Sequence, residues 1–209
     1  MIFGKIDYLN LLPFYLFLQK KVPKLSKFKK GVPSEINKKF HSRQVDIAFI
    51  SSVTSSKSNC SNLGIIARKE VLSVLILKKK SKKDIASETS NQLAKILKQK
   101  GEVVIGDKAL QIYFQNQENF TDLALKWNQK YHLPFVFAKL CFHKNSQIIR
   151  KISNKFRKSR IQIPLYILKR VSKKLNLSTS QIKIYLSKID YFCDKKTKRG
   201  LNKFLFFPN

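Results

Sequence analysis

The sequence has few of the residues that bind metals or carry redox chemistry. Its three cysteines, Cys60, Cys141 and Cys193, are widely spaced and form no C-x-x-C pair. Its three histidines occur in neither H-x-x-H nor H-E-x-x-H spacing, which zinc sites commonly use. We therefore expect no metal site, no redox pair, and three reduced, mostly buried thiols.

Long apolar runs and phosphate-binding loops are also absent. The apolar stretch from Leu11 to Leu18 is too short to cross a bilayer, and no basic segment precedes it as in a secretory leader. Apolar residues still make up 43% of the 209 residues, which is enough for a folded core. These features predict a folded cytoplasmic protein with no membrane-inserted segment.

Acidic residues are scarce: 12 Asp and Glu stand against 43 Lys and Arg, giving a formal net charge of +31. The imbalance is steepest after Ala138, where 19 basic residues accompany only Asp190 and Asp194. Such a charge is typical of proteins that bind nucleic acid or anionic lipid. However, no zinc-finger, RRM-like or KH-like pattern occurs, and the aromatic residues are mainly Phe in apolar runs. We expect no nucleic-acid partner, and a positive field that attracts a small anionic substrate.

What the chain does contain is a series of polar residues placed where apolar strands end. The segment Gly4 to Phe14 is typical of a strand, a Tyr-Leu-Asn turn and a helix with Pro13 in its first turn. This pattern places Asn10 at the carboxyl edge of a sheet, where ligands of open α/β sheets bind. Two alternatives stay open: Asn10 only caps the helix, or Asp7 on the preceding strand is a conventional base.

Hydroxyl groups occur at two similar positions. The apolar run Val45 to Ile50 predicts a buried strand that ends at Ser51 and Ser52. Ser73 lies within a second apolar strand, Val71 to Leu77. The alternatives are that the paired serines cap the following turn, and that Ser73 is a small polar residue tolerated in a buried strand.

A third hydroxyl-rich segment, Ser87 to Gln92, precedes a predicted helix. Thr89 and Ser90 lie near the start of this helix, where free backbone N–H groups attract anions. The alternative is that these two side chains serve only as a helix cap.

Taken in order, these segments resemble the chorismate dehydratase family of the futalosine route to menaquinone. Seven short elements appear in register between Gly4 and Ala138: Tyr-Leu-Asn, Gly-Val-Pro-Ser, Ile-Ser-Ser, Ser-Val-Leu, Thr-Ser, Ile-Gly-Asp-x-Ala-Leu and Leu-Pro-Phe-Val-Phe-Ala. Each element is weak alone, but seven in register are specific. The last third of the chain matches only loosely, and Lys139 and Leu140 stand where family members often have Trp.

The resemblance implies a lyase that converts chorismate to 3-[(1-carboxyvinyl)oxy]benzoate and water without a metal or organic cofactor. It implies that Asn10 and Ser73 are the catalytic residues, Asn10 orienting the substrate and Ser73 facing the cleft. The substrate's own enolpyruvyl carboxylate would take the proton. The implied substrate-binding residues are Ser51, Ser52, Thr89 and Ser90.

The order of elements predicts an α/β architecture with a mostly parallel sheet in each lobe. The resemblance implies the two-lobed fold of type II periplasmic binding proteins, with a hinge of two crossing strands near 71–77 and 135–142. One lobe would contain residues 1–74 and 138–209, and the other residues 75–137. Strands are predicted near 2–8, 45–51, 62–67, 71–78, 102–106 and 135–142. Helices are predicted near 13–20, 34–41, 89–99, 107–114, 119–130, 148–156, 164–175, 179–187 and 195–206.

Two other functions of proteins with this fold stay open. A solute-binding protein without chemistry normally needs export, and no export signal is visible. The dihydroxynaphthoate synthase of the same pathway is expected to use a catalytic His, and His41, His132 and His143 lie in no matching motif. The sequence does not decide the oligomeric state, and a homodimer is compatible with it.

Overall fold

A computed structural model describes residues 1–22, 27–116 and 119–207. The predicted strands and helices are confirmed with shifts at their ends, whereas β2, β7, β9 and the short helix α3 were not predicted. The strands are β1 (Ile2–Lys5), β2 (Lys27–Lys30), β3 (Ile47–Ser51), β4 (Cys60–Ala67), β5 (Val74–Leu77), β6 (Glu102–Ile105), β7 (Phe120–Asp122), β8 (Phe135–Phe142) and β9 (Ile189–Phe192). The helices are α1 (Leu12–Lys21), α2 (Pro33–His41), α3 (Ser52–Ser55), α4 (Glu88–Ile96), α5 (Gly106–Gln115), α6 (Leu123–Tyr131), α7 (Ser146–Lys158), α8 (Leu165–Leu175), α9 (Thr179–Lys188) and α10 (Lys195–Phe206).

The larger sheet contains six of the described strands, in the order β2-β1-β3-β8-β4-β9. β1 runs parallel to β2 and β3, because the helices α1 and α2 return the chain to the same end of the sheet. β8 is antiparallel to both of its neighbours, with Ala138 opposite Ser51, and β9 is antiparallel to β4. The expectation of a mostly parallel sheet is therefore wrong here, because β8 and β9 enter from the opposite end.

The smaller sheet, in the order β6-β5-β7 among the described strands, is antiparallel throughout. The mostly parallel arrangement expected for this lobe is also wrong, since β5 lies between two strands that run back against it. The predicted helix near 119–130 begins later, at Leu123, because Asp122 ends β7 and caps α6. Its Oδ1 atom accepts hydrogen bonds from the backbone N–H groups of Ala124 (2.9 Å) and Leu125 (3.0 Å).

Residues 68–73 connect the two sheets and end in a tight turn. The backbone N–H groups of Val71 and Leu72 donate to Asp122 Oδ2 at 2.9 and 2.7 Å, so the strand expected from Val71 begins only at Val74. Leu72 has a left-handed φ of 61°. The carbonyl of Ser73 accepts a hydrogen bond of 2.8 Å from the Gly106 N–H. The turn before β5 is thus fixed by β7 on one side and by α5 on the other.

The core joins the first and last parts of the chain. Phe14 on α1 packs edge-to-face against Phe49 of β3 and Phe156 of α7, each with 5.1 Å between ring centroids. Such contacts stabilise the packing beyond the burial of apolar area. They fix the N-terminal turn that carries Asn10 against the tail.

The tail confirms the four predicted helices and adds a strand. α9 begins with a capping box in which Ser178 and Gln181 each bond the other's backbone N–H. After α9, β9 joins the edge of the larger sheet. Tyr191 of this strand donates a hydrogen bond of 2.6 Å to the carbonyl of Asn10. The loosely matching third of the sequence therefore reaches the N-terminal motif.

The cysteines differ from the expectation. Cys60 and Cys141 lie opposite each other on β4 and β8 and form a disulfide. The prediction of three reduced thiols is wrong for this pair, because a separation of 81 residues concealed a direct cross-strand pairing. Cys193 is a free, buried thiol, and burial raises its pKa to about 11.

The described ranges contain neither a membrane-spanning helix nor a metal-binding cluster. No helix in them is long and apolar enough to cross a bilayer. No group of three or more His, Cys, Asp or Glu residues in them could hold a metal ion.

Candidate active site

A cleft lies between the two sheets, at the ends of β1 and β3 and the beginnings of β5, α4 and α5. Its cavity volume is about 70 Å³, which is below the range usual for small-molecule sites. Apolar side chains form most of the wall, and none of the described residues that line it carries a charge. The polar side chains of the wall are Tyr8, Asn10, Ser51, Ser73, Ser87 and Ser90.

Asn10 lines the cleft from a short 3-10 turn, Leu9–Leu11, between β1 and α1. Its backbone is held by Tyr191, as described above. Its side-chain Oδ1 atom is buried and has no hydrogen-bond partner among the described residues. A buried, unpaired amide oxygen is costly in a folded protein, so this atom is a candidate contact for a ligand.

Ser73 lines the cleft from the turn before β5. Its Oγ accepts a hydrogen bond of 3.0 Å from the hydroxyl of Tyr185, which lies on α9. Burial raises the pKa of Tyr185 well above its usual value, and hydrogen bonds with Ser73 and with the Asn10 side chain lower it only in part. The phenol therefore stays protonated, and it lies within hydrogen-bonding reach of both predicted catalytic residues.

Ser51, the last residue of β3, also lines the cleft. Its Oγ accepts a hydrogen bond of 2.7 Å from the Nδ2 of Asn37 on α2, and its backbone N–H donates to Asn37 Oδ1. The neighbouring Ser52 is fully buried and is not part of the wall. Its hydroxyl donates to the carbonyl of Val136 and so ties α3 to β8.

The beginning of α4 forms the opposite wall. Ser87 is the N-cap, and its Oγ accepts from the Ser90 N–H at 3.2 Å and donates to Ser90 Oγ at 2.8 Å. Ser87 and Ser90 lie three residues apart, on one face of the helix, and both line the cleft. Thr89 faces away from the cleft, and its Oγ1 accepts from the Val53 N–H at 3.4 Å.

Three serine hydroxyls of the wall share one pattern of hydrogen bonding. Ser51, Ser73 and Ser90 each accept a hydrogen bond from another side chain. Within the described ranges, none of the three has an acceptor for its own proton. A hydroxyl whose oxygen already accepts has its proton available for a ligand. The cleft therefore presents neutral donors, and with the positive end of α4 it suits an anion.

Acidic residues near the cleft are engaged elsewhere. Asp7 is exposed, pairs with Lys5 at 2.9 Å, and does not belong to the wall. Asp107 accepts a hydrogen bond of 3.1 Å from the Leu9 N–H, and burial raises its pKa. Burial, followed by the charges of Asp84 and Asp107, raises the pKa of Tyr8 to about 12, so this wall residue is a neutral phenol.

The structure therefore brings together four of the six predicted site residues: Asn10, Ser51, Ser73 and Ser90. Sequence reasoning missed Tyr8 and Ser87, although both lie in the motifs that it identified. It also missed Tyr185 and Asn37, which orient the hydroxyls of the wall. Lys139 and Leu140 do not line the cleft, whose wall on β8 is formed by Phe137 and Ala138.

Known proteins that are similar to this chain agree on a family. The family model described as menaquinone biosynthesis matches residues 1–102 and 88–207. A protein named chorismate dehydratase, from Campylobacter jejuni subsp. jejuni serotype O:23/36 (strain 81-176), is 44% identical over 214 residues. The alignment covers 98% of this chain and 96% of the relative.

Solved structures agree on a fold. Protein AF1704 from Archaeoglobus fulgidus has a TM-score of 0.66 at 10% identity, with 97% of this chain and 94% of that chain covered. The Candida albicans CA3427 gene product, described as having the generic periplasmic binding protein fold, has a TM-score of 0.53 at 12% identity, with 100% and 91% covered. At these identities the likeness concerns the fold alone, and it confirms the expected two-lobed α/β class.

Proposed function

The chain belongs to the menaquinone biosynthesis family, and on that premise we propose that it dehydrates chorismate to 3-[(1-carboxyvinyl)oxy]benzoate and water. The substrate is a small dianion, with one carboxylate on the ring and one on the enolpyruvyl ether. We propose that it binds in the cleft between the two sheets. The family match and the relative of the same length support this activity.

The observation that carries the proposal is the set of hydroxyl protons in an uncharged wall. Ser51 and Ser90 lie on opposite sides of the cleft, and each has a proton to donate to a carboxylate. The N-terminus of α4, next to Ser90, adds the positive end of a helix. The net charge of +31 would attract the dianion from a distance, while neutral groups hold it within the cleft.

The described wall contains no acidic side chain that could take the ring proton of the substrate. Dehydration removes a proton from the ring carbon that bears the ether and hydroxide from the carbon beside it. We propose that the substrate's own enolpyruvyl carboxylate takes that proton, since it lies within reach in a folded conformer. The protein then contributes orientation and hydrogen bonds to the charge that develops. Asn10 and Ser73 are assigned to the reacting carbons, and Ser51 and Ser90 to the carboxylates.

We also propose that the protein has two lobes, which close on the substrate. Residues 75–137 would form one lobe, and residues 1–74 with 138–209 the other. The two separate sheets, joined along the chain only through residues 68–73 and through α6 within the described part of the chain, support this division. Closure of the lobes would exclude water and keep the reactive conformer.

The test is the conversion of chorismate by the purified protein, followed as the appearance of the aromatic product. We expect Asn10→Ala and Ser73→Ala each to lower kcat by roughly tenfold or more. Ser153→Ala is the control: it removes a buried hydroxyl of α7 that has no partner among the described residues and lies outside the cleft. Tight binding without turnover would contradict the enzyme and favour a solute-binding protein.

Location and partners complete the proposal. We propose a cytoplasmic enzyme whose cleft is built by one chain, because the described wall needs no residue from a second copy. Ile2–Lys5 and Leu12–Lys21 build β1 and α1, so this apolar stretch is part of the folded core. A homodimer and the lack of a nucleic-acid partner stay predictions. Size-exclusion chromatography and DNA retention at physiological ionic strength would test them.

A further inference from the structure

Tyr185 donates a hydrogen bond of 3.0 Å to Ser73 and lies beside the Asn10 side chain, although it belongs to the loosely matching tail. It is 1% exposed, and its α9 helix is fixed by the capping box at Ser178. It is not among the residues of the cleft wall. Its hydroxyl therefore lies outside the cleft wall, next to the two residues that are assigned to the reacting carbons.

The hydrogen bonds of this group have one consistent direction. The single phenolic proton of Tyr185 goes to Ser73 Oγ, so the phenolic oxygen can act only as an acceptor toward the neighbouring Asn10 side chain. The side-chain amide of Asn10 can donate only through Nδ2, and its Oδ1 is the atom without a partner in the described chain. This arrangement has Tyr185 donating to Ser73, with the Asn10 side chain beside the phenolic oxygen. It leaves one acceptor, Asn10 Oδ1, and one donor, the Ser73 hydroxyl.

One acceptor and one donor, held side by side, are the complement of a hydroxyl group. We propose that Tyr185 is a positioning residue that holds Asn10 and Ser73 as an acceptor–donor pair for the ring hydroxyl of the substrate, the group that leaves. This inference rests on the proposed function and names how the leaving group is recognised. The ring hydroxyl donates to Asn10 Oδ1, and its oxygen accepts from Ser73.

The reaction balances without a further reagent. The enolpyruvyl carboxylate takes the proton from the ether-bearing carbon, and the electron pair of that C–H bond becomes the new ring double bond. The neighbouring C–O bond breaks, and its electron pair leaves with the oxygen. The departing oxygen keeps its own proton and takes the proton held by the carboxyl group, forming water and restoring the carboxylate. The hydrogen bond from Ser73 strengthens as negative charge grows on the departing oxygen.

The experiment replaces the phenol by phenyl. We expect Tyr185→Phe to lower kcat about tenfold with KM within about twofold, because Ser73 is then free to turn its proton away from the leaving group. Tyr15→Phe is the matched control, since Tyr15 is also buried and its hydroxyl accepts from the Ile6 N–H outside the reacting pair. A kcat for Tyr185→Phe within twofold of the unchanged protein would overturn the inference.

A double-mutant cycle separates positioning from a merely structural role. If Tyr185 acts through Ser73, adding Tyr185→Phe to Ser73→Ala changes kcat by less than about twofold. Losses that multiply would contradict the assignment. If the unchanged protein does not convert chorismate at all, the proposed function is overturned, and this inference with it.

Binding of the product supplies a readout that does not depend on turnover or on the folding of the Tyr185 variant. The product lacks the ring hydroxyl, so Ser73→Ala should leave its Kd within about twofold while kcat falls. A product Kd that weakens in parallel with kcat would mean that Ser73 holds another part of the molecule, which contradicts the hydroxyl-binding pair.

Discussion

Asp122 is a buried carboxylate that joins the turn before Ser73 to the smaller sheet, and replacing it should loosen the cleft from a distance. Its two oxygens accept four backbone N–H groups, two from the turn at Val71 and Leu72 and two from the first turn of α6. Burial raises its pKa, so part of the benefit of these bonds offsets the cost of a desolvated charge.

The expected fall in the free energy of unfolding follows from these four hydrogen bonds. Asp122→Asn keeps an oxygen for the α6 cap, but its amide nitrogen then faces the two N–H groups of the turn. Two buried N–H groups without an acceptor cost about 1.5 kcal/mol each, so the free energy of unfolding should fall by about 3 kcal/mol. Asp122→Ala also loses the cap, which adds about 1 kcal/mol and brings the total to about 4 kcal/mol. Leu72 would then leave its left-handed conformation and move Ser73.

Urea unfolding measures the loss of stability. Steady-state kinetics measures the fall in kcat that is expected when Ser73 is displaced. Asp194→Asn is the control for loss of a helix cap, because Asp194 caps α10 through the Thr197 N–H and its other contact, with Arg68, does not involve the N–H groups of Val71 and Leu72. A free energy of unfolding for Asp122→Asn within about 1 kcal/mol of the unchanged protein would refute the reasoning. So would an unchanged kcat in a variant that is clearly destabilised.

Three further predictions concern other parts of the fold. Gly106→Ala should lower the free energy of unfolding by at least about 1 kcal/mol and also reduce kcat. The reason is that Gly106 has a φ of 64° and that a Cβ would lie 2.8 Å from the Tyr8 ring. Urea unfolding and steady-state kinetics measure the two effects. The pKa of Asp194 is lowered to about 2, chiefly by a backbone N–H of α10, so its contribution is present above about pH 4 and lost as the pH falls toward 2. The stability difference between Asp194→Asn and the unchanged protein should therefore shrink over that range. Replacing Cys60 and Cys141 together by Ala should lower the free energy of unfolding by about 2–4 kcal/mol, measured by urea unfolding without reductant, and an unchanged midpoint would contradict the cross-link.

Local patterns predicted most of the elements and the part of the site that depends on them. Asn10 and Ser51 follow short apolar strands, and such positions lie at the edge of a sheet whatever the rest of the chain does. Thr89 shows the limit of this reasoning. α4 begins at Glu88 with Ser87 as its cap, so the helical period turns Ser87 and Ser90 toward the cleft and Thr89 away from it.

Contacts between distant residues could not be predicted from local patterns. Tyr185 is separated from Ser73 by 112 residues, and no periodicity in the tail indicates that its hydroxyl is used. The cross-strand pairing of Cys60 with Cys141 and the direction of β8 depend on the same kind of information. Sheet topology fixes both, and strand order is not encoded in the hydrophobic pattern of a single strand.

The central claim is that neutral amide and hydroxyl groups between two sheets hold the dianion for its own aromatisation. A crystal structure with 3-[(1-carboxyvinyl)oxy]benzoate bound tests it most directly. The account predicts one carboxylate at the hydroxyl of Ser90, and the ring carbon that lost its hydroxyl beside Asn10 and Ser73. Product bound on the lysine-rich surface, or in the cleft with that carbon away from Asn10 and Ser73, would contradict it.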